Sequence, residues 1–179
     1  MNKNIKKWIL FTQHVAGMEL PVKQENSGIN MSYNFIFHYI GYDATRIESA
    51  IKKEVHGISL DDYVKTFSLH ELGHALDRES LLASLDRTIE IYELKSQYSG
   101  EERYKDRQLL SALIEEHKMN IEFEKTAWKN AQKINSAYDI VGWKTFEILK
   151  NLSLQTYVDS YQKHLLAYEK LVEQTEKIA

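Results

Sequence analysis

The chain has 179 residues, a formal net charge of −3 and no cysteine, and 43% of it is apolar, with 11% aromatic. That is enough apolar material for one sizeable core, which argues against disorder, and acidic and basic residues are interleaved, leaving no basic stripe for nucleic acid. The missing cysteines remove disulfides and thiolate ligands together, so a metal site here must be built from histidine and carboxylate.

The N-terminal segment Met1 to Lys7 is basic and leads into Trp8-Ile9-Leu10-Phe11. This apolar run gives way to Thr12, Gln13 and His14 too soon for an export signal, and no stretch is long enough to span a membrane. A soluble cytoplasmic protein is the expectation. Trp8 to Val15 reads as a strand or a helix, and Pro21, the single proline, and Gly28 punctuate the link to the next element. Met31, Tyr33, Phe35, Phe37 and Tyr39 alternate with Ser32, Asn34 and His38, which predicts an aromatic strand from Met31 to Ile40. Asp43 is placed to cap a helix with the apolar stripe Ile47, Ile51 and Val55, ending at Gly57. Ser59 and Asp62 form a second N-terminal capping pattern, before a helix in which Val64, Phe67 and Glu71 recur at spacings of three and four.

That helix carries His70-Glu71-Leu72-Gly73-His74. By average residue usage such an HExxH string arises by chance in about one chain of this length in a few hundred, so its helical setting has to carry the reading. On a helix, residues four apart lie one above the other, so both imidazoles can reach one zinc ion while Glu71 addresses the water that the zinc holds. Zinc lowers the pKa of such a water toward neutrality, and a carboxylate within reach takes its proton during attack on a carbonyl. The implied chemistry is metal-assisted peptide hydrolysis. Gly73 costs the helix about 1 kcal/mol relative to Ala unless close packing against a neighbour requires the missing side chain.

The remainder reads as helical. Leu81, Leu85, Ile89 and Tyr92 mark one helix, the polar tract Ser96 to Glu102 a turn, Leu110, Leu113 and His117 a second helix, and Ile121, Glu124, Trp128 and Ala131 a third. Gly142 separates this part from a long amphipathic tail with the stripe Tyr157, Tyr161, Leu165, Tyr168 and Val172, which suits core packing or a partner helix. The expected architecture is α+β and predominantly helical, a single domain over 1–179. Residues 1–42 are mainly strands, 43–135 form the helical catalytic core, and 136–179 form C-terminal helices.

A catalytic zinc needs a third protein ligand and an open fourth position. The metzincin pattern would put that ligand six residues past the second histidine, where this chain has Ser80, and a glycine where it has Asp77, so that class is excluded. Among later carboxylates Glu124 stands out because it shares a face with Ile121, Trp128 and Ala131, and a buried carboxylate is costly unless it is paired or metal-bound. Glu116 and Glu122 are the alternatives, with Glu122 on the opposite side of the helix. Asp77, one turn after His74, is a candidate to orient a ligating imidazole. His117 and Tyr138 are candidates to stabilise an oxyanion. His14, His38, His56 and His164 show no ligand spacing.

His70-Glu71-Leu72-Gly73-His74-Ala75-Leu76-Asp77 followed by Glu124-Lys125-Thr126-Ala127-Trp128 resembles the HExxH…ExxA pattern of glutamate-type zincins, most nearly the small ImmA/IrrE-like metallopeptidases. Anthrax lethal factor-like peptidases share a similar HExGHxxD helix and downstream ExxA. The resemblance implies a minimal zincin-like domain holding Zn2+ on His70, His74 and Glu124, with Glu71 as general base. The implied substrate is a protein or peptide, cut in the manner of a regulatory protein. A host-directed toxin protease of the lethal factor type is a further reading. The reading from another class is a zinc-containing binding module that acts through a partner, and the aromatic strand offers an edge to which an extended peptide could add.

Overall fold

Residues 8–11 form a continuous apolar run, yet the buried side chains around it are Ile5, Ile9, Thr12 and Gln13, a helical stripe. The computed structural model, which describes residues 2–176, accordingly begins with helix α1 (Asn2–Val15). Met1 of the basic segment and residues 177–179 of the expected C-terminal helices lie outside the described residues. Helix α1 ends in a Schellman arrangement: Gly17 adopts φ 66°, its N–H donates to His14 O, and Met18 N–H donates to Gln13 O. Residues 1–42 are therefore not mainly strands. The apolar residues at 8, 10 and 11 hide the period that burial reveals.

A three-stranded sheet comes next, built from β1 (Val22–Gln24), β2 (Met31–Asn34) and β3 (Tyr39–Tyr42) in the order β1-β3-β2. Strand β1 runs parallel to β3 with Val22 opposite Ile40, and β2 runs antiparallel to it with Met31 opposite Tyr42 and Asn34 opposite Tyr39. The single strand expected from Met31 to Ile40 is a hairpin. Met31 and Tyr33 do alternate inward, but the chain then turns through residues 35–38, where the Asn34 side chain accepts a hydrogen bond from Phe37 N–H at 2.9 Å and His38 takes φ 55°. The alternation of Phe35 and Phe37 falls on that turn, and Phe37 is 73% exposed.

Asp43 caps helix α2 (Ala44–Lys53) by accepting from Arg46 N–H at 3.0 Å, and it also accepts from Gly28 N–H at 3.0 Å. Ser59 caps α3 (Leu60–Leu76), accepting from Asp62 N–H at 3.2 Å. Both caps are where the sequence puts them. The stripe Leu81 to Tyr92 is divided between α4 (Arg78–Ala83) and α5 (Leu85–Ser96). The polar turn contains one short helix, α6 (Gly100–Arg103), closed by a reciprocal capping box between Ser99 and Glu102. The two helices expected around His117 and Trp128 are one unbroken helix, α7 (Arg107–Tyr138), since nothing between Lys118 and Asn120 breaks it. Helix α8 (Trp143–Glu176) completes the chain after a connection held by Asn135, whose side chain donates to Val141 O and accepts from Val141 N–H, both at 2.9 Å.

The architecture is thus predominantly helical α+β, with a small sheet and a long C-terminal helix. Among the described residues, packing forms two compact units, 2–82 with Lys125–Asn151 and Ala83–Glu124 with 152–176. The first has the core Ile5, Ile9, Ile40, Ile47, Val64, Leu69, Leu72, Trp128, Phe146 and Leu149, all at most 1% exposed. The second buries Ile91, Leu109, Leu110 and Leu113 and carries the ion pairs Lys95–Glu116 and Arg87–Glu115, each at 2.6 Å. Among the described residues, no helix is long and apolar enough to cross a membrane.

Candidate metal centre

Helix α3 is enclosed over six consecutive residues, Ser68, Leu69, His70, Glu71, Leu72 and Gly73, before it opens at its last turn. It packs on α1 and on β2. Burying a helix on more than one face requires its polar side chains to be accounted for. Thr66 and Ser68 donate back to the carbonyls of Asp62 and Val64, each at 2.7 Å, leaving the histidines and Glu71 as the chemically distinctive groups of the segment.

The approach of α7 is set by Gly73. A Cβ there would lie 2.8 Å from the carbonyl carbon of Ala127 and still nearer its oxygen, so only glycine lets the two backbones come this close. The residue it meets is small and fully buried. Asn130, one turn further along α7, donates from its side-chain amide to Gly73 O at 3.1 Å and ties the helices together. The condition attached to Gly73 by its helix propensity is therefore met by a specific contact.

This contact fixes Glu124, one turn before Ala127 on the same helix. His70, His74 and Glu124 each offer a ligand atom, and these atoms all lie within 4.8 Å of one another. His70 is 5% and Glu124 8% exposed, while His74 is half-buried. The imidazoles are related edge to face, with centroids 4.6 Å apart, as expected for residues one turn apart. Two imidazole nitrogens and a carboxylate oxygen converging in this way can hold a metal ion. Glu71, 4% exposed on the same helix, is not one of the three.

The other candidates have different surroundings. Glu122 is exposed, and Glu116 is engaged with Lys95. His117 shares a hydrogen bond with His164 across 2.9 Å, and Tyr104 OH lies 3.0 Å from the other nitrogen of His164. Burial, together with the charge of His164, holds the His117 pKa below the usual histidine value. Tyr138 is 51% exposed at the end of α7. Asp77 forms the C-cap position of α3, and its carboxylate accepts from Ser80 Oγ at 2.7 Å. The structure therefore brings together His70, His74 and Glu124 as possible ligands, and among the described residues Glu116, Glu122 and His117 are not part of that group. Sequence reasoning missed Asn130 as a tie between helices and the flat contact of Trp128 with His70, whose centroids are 4.4 Å apart with planes at 24°. The signal available for the second was Trp128 four residues after Glu124. No protein-family model, curated protein or solved structure matches the chain.

Proposed function

We propose that this chain is a zinc-dependent endopeptidase acting on a protein or peptide substrate. The observation that carries the reading is the convergence of His70 and His74 with Glu124, a residue fifty positions further along the sequence, beside a buried Glu71. The donor set is what zinc takes in hydrolytic centres: two histidines and a glutamate, with a fourth position left for water or substrate. Zinc bound there supplies Lewis acidity, polarising a peptide carbonyl and making water a stronger acid. Glu71 is the general base, taking a proton from the attacking water and returning it to the leaving amine. The likeness of HELGHALD and EKTAW to glutamate-type zincins of the ImmA/IrrE kind points the same way.

Strand β2 is at an end of the sheet and packs on α3, so an extended substrate has a strand edge to join through backbone hydrogen bonds next to the metal ligands' helix. The second reading, a zinc-containing module acting through a partner, is favoured by Leu152 and Leu166, which are 49% and 56% exposed on α8. Glu71→Gln separates the two. As an endopeptidase, the variant keeps about one zinc per chain and loses cleavage by roughly two to four orders of magnitude. A Glu71→Gln chain with full biological effect would transfer the assignment to the binding module, and a wild-type chain that takes up no zinc at neutral pH would end both.

A further inference from the structure

Trp128 is among the least exposed side chains of the molecule, at 1%, and its contacts differ in kind. Phe67 and Phe146 meet it edge-on, at 6.0 and 5.5 Å with planes at 70° and 84°, whereas His70 lies flat against it at 4.4 Å and 24°. Its indole Nε1 is buried and has no hydrogen-bond partner among the described residues. Buried polar groups of this sort are uncommon and ask for a reason, because a phenylalanine would fill much of the same space without the desolvation cost. What the indole presents to His70 is its flat face.

We infer that Trp128 is a positioning residue for the metal centre: its indole face fixes the plane of His70 before an ion arrives and holds the imidazole more tightly once it is coordinated. This inference rests on the metal-centre reading proposed above. The helix crossing determines the placement. Ala127 is locked against Gly73, so its neighbour Trp128 has a fixed origin, and Glu124, a ligand of the same centre, is one turn away. One turn of α7 therefore supplies a ligand, the closest helix contact and the wall behind a second ligand. His70 is affected in two ways. Confinement against a flat surface restricts rotation of the ring, so its nitrogen is already directed when metal binds. Coordination withdraws electron density from the imidazole, and the electron-rich indole face attracts it more strongly in that state.

The test uses the full chain with Zn2+ alone as probe. Zinc affinity is measured by competition with a chromophoric chelator for wild type, Trp128→Phe and Trp128→Leu, and the thermal stability of each metal-free chain is measured alongside. Loss of the aromatic face in Trp128→Leu should weaken zinc binding by about tenfold or more, a loss that outer-shell partners of metal ligands commonly produce. Trp128→Phe should restore most of the affinity, and metal-free stability should not follow the same order. In a Trp8→Phe/Trp143→Phe chain Trp128 is the sole tryptophan, and its emission should change on adding zinc and level off at one equivalent. A folded Trp128→Leu chain that binds zinc like wild type, or an emission that stays constant while zinc is bound, overturns the inference and leaves the metal centre standing. If Trp128→Leu does not fold, the emission titration decides alone. A wild-type chain that binds no zinc removes both readings.

Discussion

At position 73 a single methyl group decides whether α3 and α7 can approach closely enough to bring His70, His74 and Glu124 together. It would be driven into the backbone of Ala127, which belongs to a rigid helix and cannot move aside as a flexible side chain would. Gly73→Ala should therefore destabilise the protein by about 1–3 kcal/mol or more, although alanine is the better helix former. Thermal melts of the metal-free chain would register this, and a variant as stable as wild type would show that the helices are not in contact there. Glu124 gives a second prediction at this scale. Glu124→Ala should lower zinc affinity strongly, whereas Glu122→Ala, removing an exposed carboxylate, should leave it nearly unchanged. Coordination of zinc by Glu122, Glu116 or His117 in a metal-loaded structure would refute it. His70, His74 and Glu124 were legible because HExxH is local and because Glu124 shares a helical face with Trp128 and Ala131. Asn130 was not, because its partner is the carbonyl of Gly73, 57 residues away in sequence, and no pattern of residue types announces a backbone acceptor.

The starts of α2 and α3 agree with the sequence, whereas α2 ends at Lys53 before the expected Gly57, the capped α6 lies in what reads as a turn, and segments whose apolar pattern admits two periods differ. Asp43 and Ser59 announce α2 and α3 through side chains that can accept the first free N–H groups. By contrast, Trp8-Ile9-Leu10-Phe11 is apolar on every side, and only burial separates Ile9 from exposed Leu10 and Phe11. The hairpin was hidden because the turn at residues 35–38 contains no glycine and carries aromatics in the alternating register of a strand. Helices α7 and α8 also bring His117 and His164 together, and this contact has a pH consequence. Burial is the larger cause and the charge of His164 the next in holding the His117 pKa below its ordinary 6.5; Lys95 acts in the same direction and Glu116 against it. A histidine with a lowered folded-state pKa binds protons more readily when unfolded, so its favourable contribution is intact above about pH 6.5 and is lost as pH falls toward the folded value. Stability should accordingly decline on acidification below that point, and His117→Phe should flatten the decline. An unaltered slope in denaturant titrations of that variant would assign the acid sensitivity to other groups.

The sequence shows no linker because the passages between the two compact units occur inside helices: residues 82 and 83 are both in α4, 124 and 125 in α7, and 151 and 152 in α8. A linker read from composition needs a stretch of glycine, proline or small polar residues, and a helix crossing from one packed group to another contains none. The residues that could hold a metal belong to α3 and to the turn of α7 beginning at Glu124, so the free energy of metal binding should act on that part of the molecule. A ligand that binds only the folded state stabilises it by about 2.7 kcal/mol at a free concentration a hundredfold above its dissociation constant. Local opening draws on whatever stability a region has, so amide exchange reports where this energy is felt. With zinc present, exchange should slow over residues 60–76 and 124–135, which hold the ligands and their Gly73–Ala127 and Asn130 contacts, and should change little over 85–96 and 152–174. Chelation should reverse it, and His74→Ala should show no zinc effect at all. Protection spread evenly over both units would mean that the chain opens as one cooperative body, and that the centre stabilises the whole molecule instead of the helix pair that builds it.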